Sequence, residues 1–220
     1  MSASPIIVVD YDAGNLRSVA RALEHVGADP VVTADPADIE TAGAIVLPGV
    51  GAAEDTMFKL RERNLVEPLL AYIASGRPFL GVCMGLHALL ERSEEGDGQD
   101  CLGVFPGVAR RFDAGPGHKV PHMGWNTVDW LRDHPITRDI PSGSYFYFVH
   151  SYYPTVADPG LALGQTEYGV EFPSVLGRGY VVATQFHPEK SGRTGLRLYE
   201  NFVAWARTGE PVDSGTVPAR

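Results

Sequence analysis

The segment 79–90 reads FLGVCMGLHALL and places Cys83 between an apolar strand pattern and a helical pattern. Gly81 and Gly85 flank the cysteine at equal spacing, and glycines at these positions permit the sharp, strained turn that lifts a nucleophile off a sheet edge. A thiol at the start of a helix lies near unpaired backbone N–H groups, which favour the thiolate. We interpret Cys83 as a candidate nucleophile, although this segment alone fits a small buried apolar residue equally well. Cys101 has no such setting, and we interpret it as structural.

A thiolate nucleophile needs a base, and the chain contains seven histidines. His187 has the most suitable context, because a predicted strand runs into it and Pro188 favours an extended backbone before it. In an extended segment the side chains of residues two apart lie on one side, so Glu189 could orient the imidazole as the third member of a triad. Taken alone, the same segment also fits a loop histidine beside a solvated glutamate. His87, four residues after Cys83, is a competing base, but the start of a helix disfavours an imidazolium there.

Backbone N–H groups near the cysteine are candidates for binding an oxyanion. The N–H of Met84 directly follows the nucleophile on the turn and is placed for this role. The segment LPGVG at 47–51 is a strand end that runs into a glycine turn, and such a loop can aim N–H groups at an anion. The glycine loop, the cysteine and the His-Pro-Glu segment together form one candidate constellation for nucleophilic catalysis.

A zinc site is a weaker interpretation of the same residue types. His118 and His122 could join the two cysteines as ligands, but their spacing matches no common zinc pattern and Pro121 interrupts the segment. We therefore predict no metal and no cofactor.

Composition limits the class of protein. The chain has 220 residues, of which 44% are apolar and 20% charged, and its net charge is −9. Two cysteines argue against a disulfide scaffold and fit a reducing compartment. An acidic chain without a basic stripe is a poor nucleic-acid binder, because phosphate neutralisation supplies most of that affinity. The longest apolar stretch, 79–90, is too short for a membrane span, and we expect neither a signal peptide nor a membrane location. These features predict a soluble, cytoplasmic protein.

The positions of apolar residues predict alternating strands and helices in the first half of the chain. The predicted strands are 5–9, 30–33, 44–47 and 78–82. The predicted helices are 16–26, a region 53–75 interrupted near Asn64 and Pro68, and 84–91. Strands that are apolar along their whole length and alternate with helices are typical of a parallel sheet covered on both faces.

The second half has aromatic and β-branched runs at 145–149, 162–167 and 180–185, separated by Gly/Pro turns, which favour antiparallel or mixed strands. A closing helix is predicted over 192–207. We predict one α/β domain over 1–208, with a central, mostly parallel sheet, helices on both faces and a smaller mixed or antiparallel sheet. The segment 209–220 is predicted to be a flexible tail.

Six motifs resemble, in order and spacing, those of the class I (triad-type) glutamine amidotransferases, and most closely the glutaminase subunits of imidazole glycerol phosphate synthases. The resemblance covers residues 5 to 205. The motifs are DYDAGNLRSV at 10–19, PGVG at 48–51, GVCMG at 81–85, PHMGWN at 121–126, FVHSY at 148–152 and QFHPEKS at 185–191. The cysteine turn and the His-Pro-Glu segment fit any glutaminase of this class, whereas the opening motif, PHMGWN and HPEKS favour the histidine-pathway members.

The resemblance implies that Cys83 attacks the side-chain amide carbon of glutamine, that His187 transfers protons and that Glu189 orients His187. It further implies that the N–H groups of Val50 and Met84 stabilise the oxyanion.

For glutamine binding the resemblance implies backbone contacts at Gly51, Ser151 and Tyr152, with Glu95 near the α-amino group. The family usually has glutamine four residues after the nucleophile, where this chain has His87. A neutral imidazole could still form a hydrogen bond there, and we include His87 among the substrate-binding residues.

The resemblance also implies a heterodimer with a (β/α)8-barrel cyclase subunit, which receives ammonia through its barrel and adds it to a phosphorylated acceptor. The residues that it places near the interface are Asn15, Trp125, Tyr147 and Lys190. The alternatives are a glutaminase of anthranilate or GMP synthesis, a cysteine hydrolase that needs no acceptor subunit, and a binding module without activity. The first would not share PHMGWN, and the last would not keep all three triad residues.

Overall fold

The parallel half of the main sheet is built from the short apolar segments of the sequence. In a computed structural model, which describes residues 5–113, 115 and 118–208, these segments lie side by side in one direction. The predicted tail 209–220 lies outside the described residues. In spatial order the parallel strands are β2 (Pro30–Thr33), β1 (Ile6–Val9), β3 (Ala44–Leu47), β4 (Phe79–Val82) and β13 (Val181–Thr184).

Helices cover both faces of this half, as predicted. Because neighbouring side chains on a strand point to opposite faces, Ile7 and Val9 of β1 join one apolar cluster whereas Val8 joins the other. The cluster that contains Val8 includes residues of α1 (Leu16–His25) and α6 (Gly192–Thr208). The opposite cluster includes residues of α2 (Pro36–Thr41), α3 (Ala53–Glu62), α4 (Val66–Ala74) and α5 (Met84–Leu89).

The predicted interruption of the helical region 53–75 lies at Asn64 and not at Pro68. Asn64 has a φ of 56°, a left-handed conformation that asparagine tolerates, and it separates α3 from α4. Pro68 lies in the first turn of α4, where its missing N–H would have no partner within the helix. The expectation that Pro68 disturbs the helix was therefore wrong.

The main sheet continues with antiparallel strands, so that nine strands among the described residues form one mixed sheet. The runs predicted at 145–149 and 162–167 belong to this half, whereas the strand near 180–185 is β13 and pairs parallel with β4. Two further strands in this half were not predicted from the sequence. Beyond β13 the order is β12 (Glu171–Arg178), β11 (Ala162–Glu167), β8 (His122–Trp130) and β9 (Ser144–His150).

A smaller mixed sheet lies beside the main sheet, as predicted. Its strands in spatial order are β10 (Tyr152–Val156), β7 (Phe105–Arg111), β5 (Leu90–Ser93) and β6 (Gln99–Asp100). The helix predicted over 84–91 is shorter than expected, because Leu90 already has an extended backbone and starts β5. Short 3-10 turns follow at Pro135–Thr137, Pro159–Leu161 and Pro188–Lys190. Within the described part of the chain, every helix is too short or too polar to cross a membrane.

His134 is buried between the turn at Pro135–Thr137 and α6. Its Nδ1 accepts a hydrogen bond from the N–H of Ile136 at 2.9 Å, and its ring lies edge-on to Trp205 with the centroids 5.2 Å apart. Burial, together with the positive charge of Arg132, lowers the pKa of His134 from 6.5 to about 4. The folded protein therefore keeps this imidazole neutral in mild acid.

We expect His134 to make the folded state sensitive to acid. Because the unfolded chain binds a proton at this imidazole more tightly than the folded chain, its contribution to stability is complete above about pH 6.5 and falls as the pH drops toward 4. The free energy of unfolding should fall between pH 7 and pH 5 in the wild type, and this fall should be about 2 kcal/mol smaller in His134→Phe. Urea unfolding at each pH measures it.

The matched control is His25→Gln, which changes an exposed histidine in the last turn of α1. It shows how far the pH dependence of unfolding changes when a histidine outside the core is replaced. An identical pH dependence in His134→Phe and the wild type would contradict the prediction.

Candidate active site

Cys83 lies on the sharp turn between β4 and α5. Its backbone has φ 54° and ψ −104°, a conformation that costs a non-glycine residue about 1–3 kcal/mol and persists only where the surrounding structure enforces it. The enforcing contacts come from the sheet, because the Cys83 N–H donates to the carbonyl of Thr184 at 2.8 Å. The side chain is 4% exposed and lines a pocket.

The two flanking glycines are required by close packing. A Cβ atom on Gly85 would lie 1.9 Å from the carbonyl oxygen of Leu47 at the end of β3. A Cβ atom on Gly81 would lie 2.9 Å from the carbonyl oxygen of Gly85. The Gly-x-Cys-x-Gly spacing therefore allows α5 to begin directly against the sheet, which places Cys83 at the carboxyl end of β4.

His187 and Glu189 form a buried pair. His187 Nδ1 and Glu189 Oε1 are 2.7 Å apart, and both side chains are almost fully inaccessible to solvent. His187 itself is extended, with φ −102° and ψ 98°, but the backbone then turns into the 3-10 segment Pro188–Lys190. The predicted contact between His187 and Glu189 is therefore present. The extended backbone from which it was predicted does not continue to Glu189, because it ends at His187.

Two further residues hold the carboxylate of Glu189. The side-chain amide of Asn15 donates to Oε1, and the hydroxyl of Tyr199 in α6 donates to Oε2 at 3.3 Å. Burial alone would raise the pKa of Glu189, but the hydrogen bond and charge of His187, with the bond from Asn15, hold it below its ordinary value. Glu189 is therefore a carboxylate that fixes the adjacent imidazole.

The Nε2 atom of His187 is left for chemistry. It is buried and has no hydrogen-bond partner of good geometry among the described residues, yet the ring lies within interaction range of the Cys83 thiol. Burial lowers the pKa of His187, but the interaction with the nearby Cys83 sulfur and the bond to Glu189 outweigh burial and raise the pKa to about 10. The arrangement therefore places a buried imidazole, oriented by Glu189, beside the thiol of Cys83.

The contacts of His87 do not suit it to act as the base for Cys83. Its Nε2 lies 2.8 Å from Oε1 of Gln185, and Gln185 Nε2 in turn approaches Cys83 Sγ at 3.8 Å. Burial lowers the pKa of His87 to about 4, against a smaller opposing effect of the bond to Gln185. Because the amide oxygen of Gln185 can only accept, Nε2 carries the proton and the buried Nδ1 is a bare acceptor without a partner in the described residues.

The loop 48–51 is not arranged to bind an oxyanion in this conformation. The N–H of Met84 is directed at the carbonyl oxygen of Gly49 at 3.4 Å and is therefore not free. The preceding carbonyl, that of Pro48, accepts a hydrogen bond from the buried hydroxyl of Tyr11 at 2.9 Å. In this conformation the Met84 N–H is therefore not available for an oxyanion, although the sequence predicted that it would be.

The pocket above Cys83 and His187 has a volume of about 610 Å³, a size suited to a small molecule. Glu95 is fixed beside it, because its Oε2 accepts from the N–H of Ala53 at the start of α3 at 2.7 Å. The sequence-predicted residues in its wall are Asn15, Val50, Gly51, Cys83, Met84, His87, Glu95, Ser151, Tyr152, His187 and Lys190. Pro121, Val149 and His150 also line the pocket, and none of them was predicted as a site residue.

The residues expected at a partner interface lie next to this pocket. Trp125 is 55% exposed, and its ring lies 6.2 Å from that of Tyr147 on the neighbouring strand. Lys190 Nζ lies 5.9 Å from the Tyr147 ring centroid and lines the pocket mouth, together with Asn15. Across the described ranges, no group of three or more His, Cys, Asp or Glu side chains is arranged to hold a metal ion.

Comparison with known proteins agrees with this fold. The family model for glutamine amidotransferase class-I matches residues 7–205. A structure of PurLQS from Thermotoga maritima has the same fold, with a TM-score of 0.73 at 18% identity, covering 92% of this chain and 99% of that one. A glutamine amidotransferase from the same organism aligns with a TM-score of 0.59 at 19% identity, over 94% of this chain and 86% of that one. The chain belongs to the class I glutamine amidotransferase family.

Closer similarity is found with one kind of subunit within this class. The chain is 50% identical over 206 residues to imidazole glycerol phosphate synthase subunit HisH 1 of Pseudomonas aeruginosa, covering 91% of this chain and 96% of the relative. It is 49% identical over 209 residues to subunit HisH of Chloroflexus aurantiacus, covering 94% and 98%.

Two residues of the site, Asn15 and Gln185, make contacts that were not predicted from the sequence. Asn15 was expected only near an interface, yet its amide holds Glu189. Gln185 was not considered, although it joins His87 to Cys83. Both are amides that contact groups far away in the chain, and an amide offers no spacing rule from which such a partner could be predicted. Gln185 immediately precedes the Phe-His-Pro-Glu run, which is the one signal that the sequence offered.

We expect Gly85→Ala to destabilise the protein by about 3 kcal/mol or more, because the new methyl group would overlap the backbone of the buried strand β3. Urea unfolding measures the loss. Gly115→Ala is the matched control, since no described atom lies within 4 Å of a Cβ built on Gly115. Equal stability of the two variants would show that the turn does not need a glycine at position 85.

Proposed function

We infer that this chain is the glutamine amidotransferase subunit of an imidazole glycerol phosphate synthase and acts in histidine biosynthesis. The observation that carries this inference is the Cys83, His187 and Glu189 arrangement at one pocket, in a chain about half identical to HisH subunits over more than nine-tenths of its length. In this role the chain hydrolyses glutamine to glutamate and ammonia.

The chemistry starts at Cys83. Its thiolate attacks the side-chain amide carbon of glutamine, which forms a C–S bond and a tetrahedral oxyanion. His187 donates a proton to the amide nitrogen, the C–N bond breaks, and ammonia leaves while a thioester to Cys83 remains. Water then attacks the thioester with His187 as the base, a second oxyanion forms, and glutamate and the thiolate are released. Glu189 keeps the imidazole oriented through both steps.

The pocket wall offers groups suited to glutamine. We assign Glu95 to the α-amino group, because its fixed carboxylate supplies the complementary charge. The backbone at Gly51, Ser151 and Tyr152 contacts the rest of the substrate. We also assign His87 to substrate binding, because it lines the pocket where the family usually has an amide, while its Nε2 is held by Gln185.

Oxyanion stabilisation depends on the loop 48–51. Rotation of the Gly49–Val50 peptide would withdraw the Gly49 carbonyl from the Met84 N–H and turn the Val50 N–H toward the pocket. Two donors would then face the oxyanion, and removal of one such donor costs about 10²–10³ in rate in a comparable site. The unrotated loop supports the proposal that the chain hydrolyses glutamine slowly on its own and that a conformational change activates it.

The partner that we propose is a (β/α)8-barrel cyclase, with which the chain forms a heterodimer. Ammonia released into water at neutral pH would be protonated and lost as a nucleophile, so the product needs a closed route to its acceptor. The surface beside the pocket supports docking at this position, since it combines the exposed Trp125 ring, the half-buried Tyr147 ring and the Lys190 ammonium group. Exposed aromatic residues are typical anchors of protein interfaces.

We expect Cys83→Ala to abolish glutamine hydrolysis in the complex with the cyclase, because the variant lacks the atom that forms the covalent bond. The same complex should retain synthesis from added ammonia, since the acceptor chemistry belongs to the partner. Glutamate release and product formation are measured side by side. Glutamate release at a rate near that of the wild type would show that another residue is the nucleophile.

We also expect glutaminase activity to be coupled to the partner. Glutamate release should be slow for the chain alone, because the Met84 N–H is occupied by Gly49, and it should rise when the cyclase and its acceptor ligand are both added. Full activity of the chain alone, unchanged by both additions, would instead identify a free-standing cysteine amidase.

Trp125→Ala tests where the partner docks. It should weaken the complex by about ten-fold or more, as for aromatic interface anchors, while the isolated chain keeps its thermal stability. Phe58→Ala on α3 is the matched control, since Phe58 is similarly exposed at 60%. Affinities come from titration of the cyclase with each variant, and equal affinity of both variants would exclude this surface.

A further inference from the structure

A chain of hydrogen bonds between buried histidines ends at the glutamine-binding pocket. His150, which is 6% exposed, lines the pocket, and its Nδ1 lies 2.8 Å from the carbonyl oxygen of Tyr152. Because a carbonyl oxygen can only accept, Nδ1 of His150 carries a proton. Burial, the largest effect, lowers the pKa of His150 well below 6.5, so the ring is neutral and its Nε2 is an acceptor.

The next residue in the chain is His122, at the start of β8. Its Nδ1 lies 2.9 Å from Nε2 of His150, so His122 is the donor of this bond. Burial lowers the pKa of His122 to about 4, and the neutral ring leaves its Nε2 as an acceptor. The amide of Asn126 approaches this nitrogen at 3.3 Å through Nδ2.

The orientation of the Asn126 amide is also determined. Its Oδ1 accepts from the N–H of Thr127 at 2.8 Å, and its Nδ2 donates to the carbonyl oxygen of Glu167 at 2.8 Å. Every bond from Asn126 through His122 and His150 to Tyr152 therefore runs in one direction. If either ring took the other tautomer, two acceptors or two donors would face each other in at least one of these bonds.

Aromatic packing holds the rings in place. His122 stacks between Tyr168 and Phe148, with ring centroids at 3.9 Å and 4.9 Å. Both ring nitrogens of His150 are occupied by Tyr152 and His122, so neither is available to reacting atoms or to a metal ion.

We propose that His122 and His150 are positioning residues, which fix the Tyr152 carbonyl and thereby orient the backbone of Ser151 and Tyr152 toward bound glutamine. The proposal rests on the glutaminase function above, because it concerns how that substrate is held. The two histidines take no part in proton transfer, so their loss should weaken glutamine binding more than it slows turnover.

The tautomers are tested without any activity. In ¹⁵N-detected NMR spectra of the intact chain at neutral pH, both imidazoles should show a protonated Nδ1 and an unprotonated Nε2. Free histidine favours the opposite tautomer, so the result separates the proposed chain of bonds from ordinary buried rings. A protonated Nε2 on either His122 or His150 would overturn the proposal.

Two substitutions at position 122 test the effect on binding. His122→Phe keeps the stacked ring but removes the donor to His150, whereas His122→Asn keeps a donor near the place of Nδ1. In the complex with the cyclase, His122→Phe should raise the KM for glutamine about ten-fold, as expected for a lost buried hydrogen bond, and change kcat less than about three-fold. His122→Asn should return KM to within about three-fold of the wild type.

The same substitutions in a Cys83→Ala background give the dissociation constant of unreacted glutamine by calorimetry, and this constant should follow KM. An unchanged KM in His122→Phe, or equal effects of the two variants, would overturn the proposal. Failure of the glutaminase function itself is recognised separately, because the wild-type complex would then release no glutamate.

Discussion

The buried contact between His187 and Glu189 is the interaction on which the rest of the site depends. A charged pair withdrawn from water is stable only if its remaining hydrogen-bonding groups are satisfied. Asn15 and Tyr199 satisfy the carboxylate, and they come from opposite ends of the chain. The loop after β1 and the helix α6 must therefore meet at one point, and this requirement links the buried His187–Glu189 pair to the packing of α1 and α6 on one face of the sheet.

The segment 187–191, which contains His187 and Glu189, also bonds to the edge of the main sheet. The His187 N–H donates to the carbonyl of Tyr147 at 3.0 Å, and the Tyr147 N–H donates to the hydroxyl of Ser191 at 3.0 Å. Ser191 in turn donates to the carbonyl of His187. In the middle of the edge strand β9, the N–H and the carbonyl of Tyr147 are thus both bonded to the segment 187–191, which covers this part of the edge. A displacement of Tyr147 by a partner would be transmitted directly to His187.

Much of the parallel half was predictable, because buried strands such as β3 and β4 are short, wholly apolar runs with clear ends. Strand β8 was missed because HMGWNTVDW mixes polar and apolar residues along an edge region with one exposed face. The helix α5 was predicted too long because nothing in the run from Met84 onward opposes a further turn; its end is set by pairing of β5 with β7.

The Gly-x-Cys-x-Gly turn could be anticipated since steric rules act locally. The contacts of Asn15, Gln185 and the two histidines of β8 and β9 could not, because each depends on which distant polar atom the fold brings near.

The burial of Cys101 determines which thiol of the folded protein reacts with electrophiles and oxidants. Burial, opposed in part by the positive charge of Arg61, raises the pKa of its thiol to about 11, and the sulfur is directed to the carbonyl of Gln99 at 3.5 Å. At neutral pH nearly all of this sulfur is therefore the unreactive thiol. The only other sulfur of a cysteine in the 220-residue sequence is that of Cys83, which opens to the pocket. An electrophile such as iodoacetamide should thus modify each native molecule once, at the sulfur that we propose as the nucleophile. Oxidation of the thiols of the folded chain should fall first on the same atom.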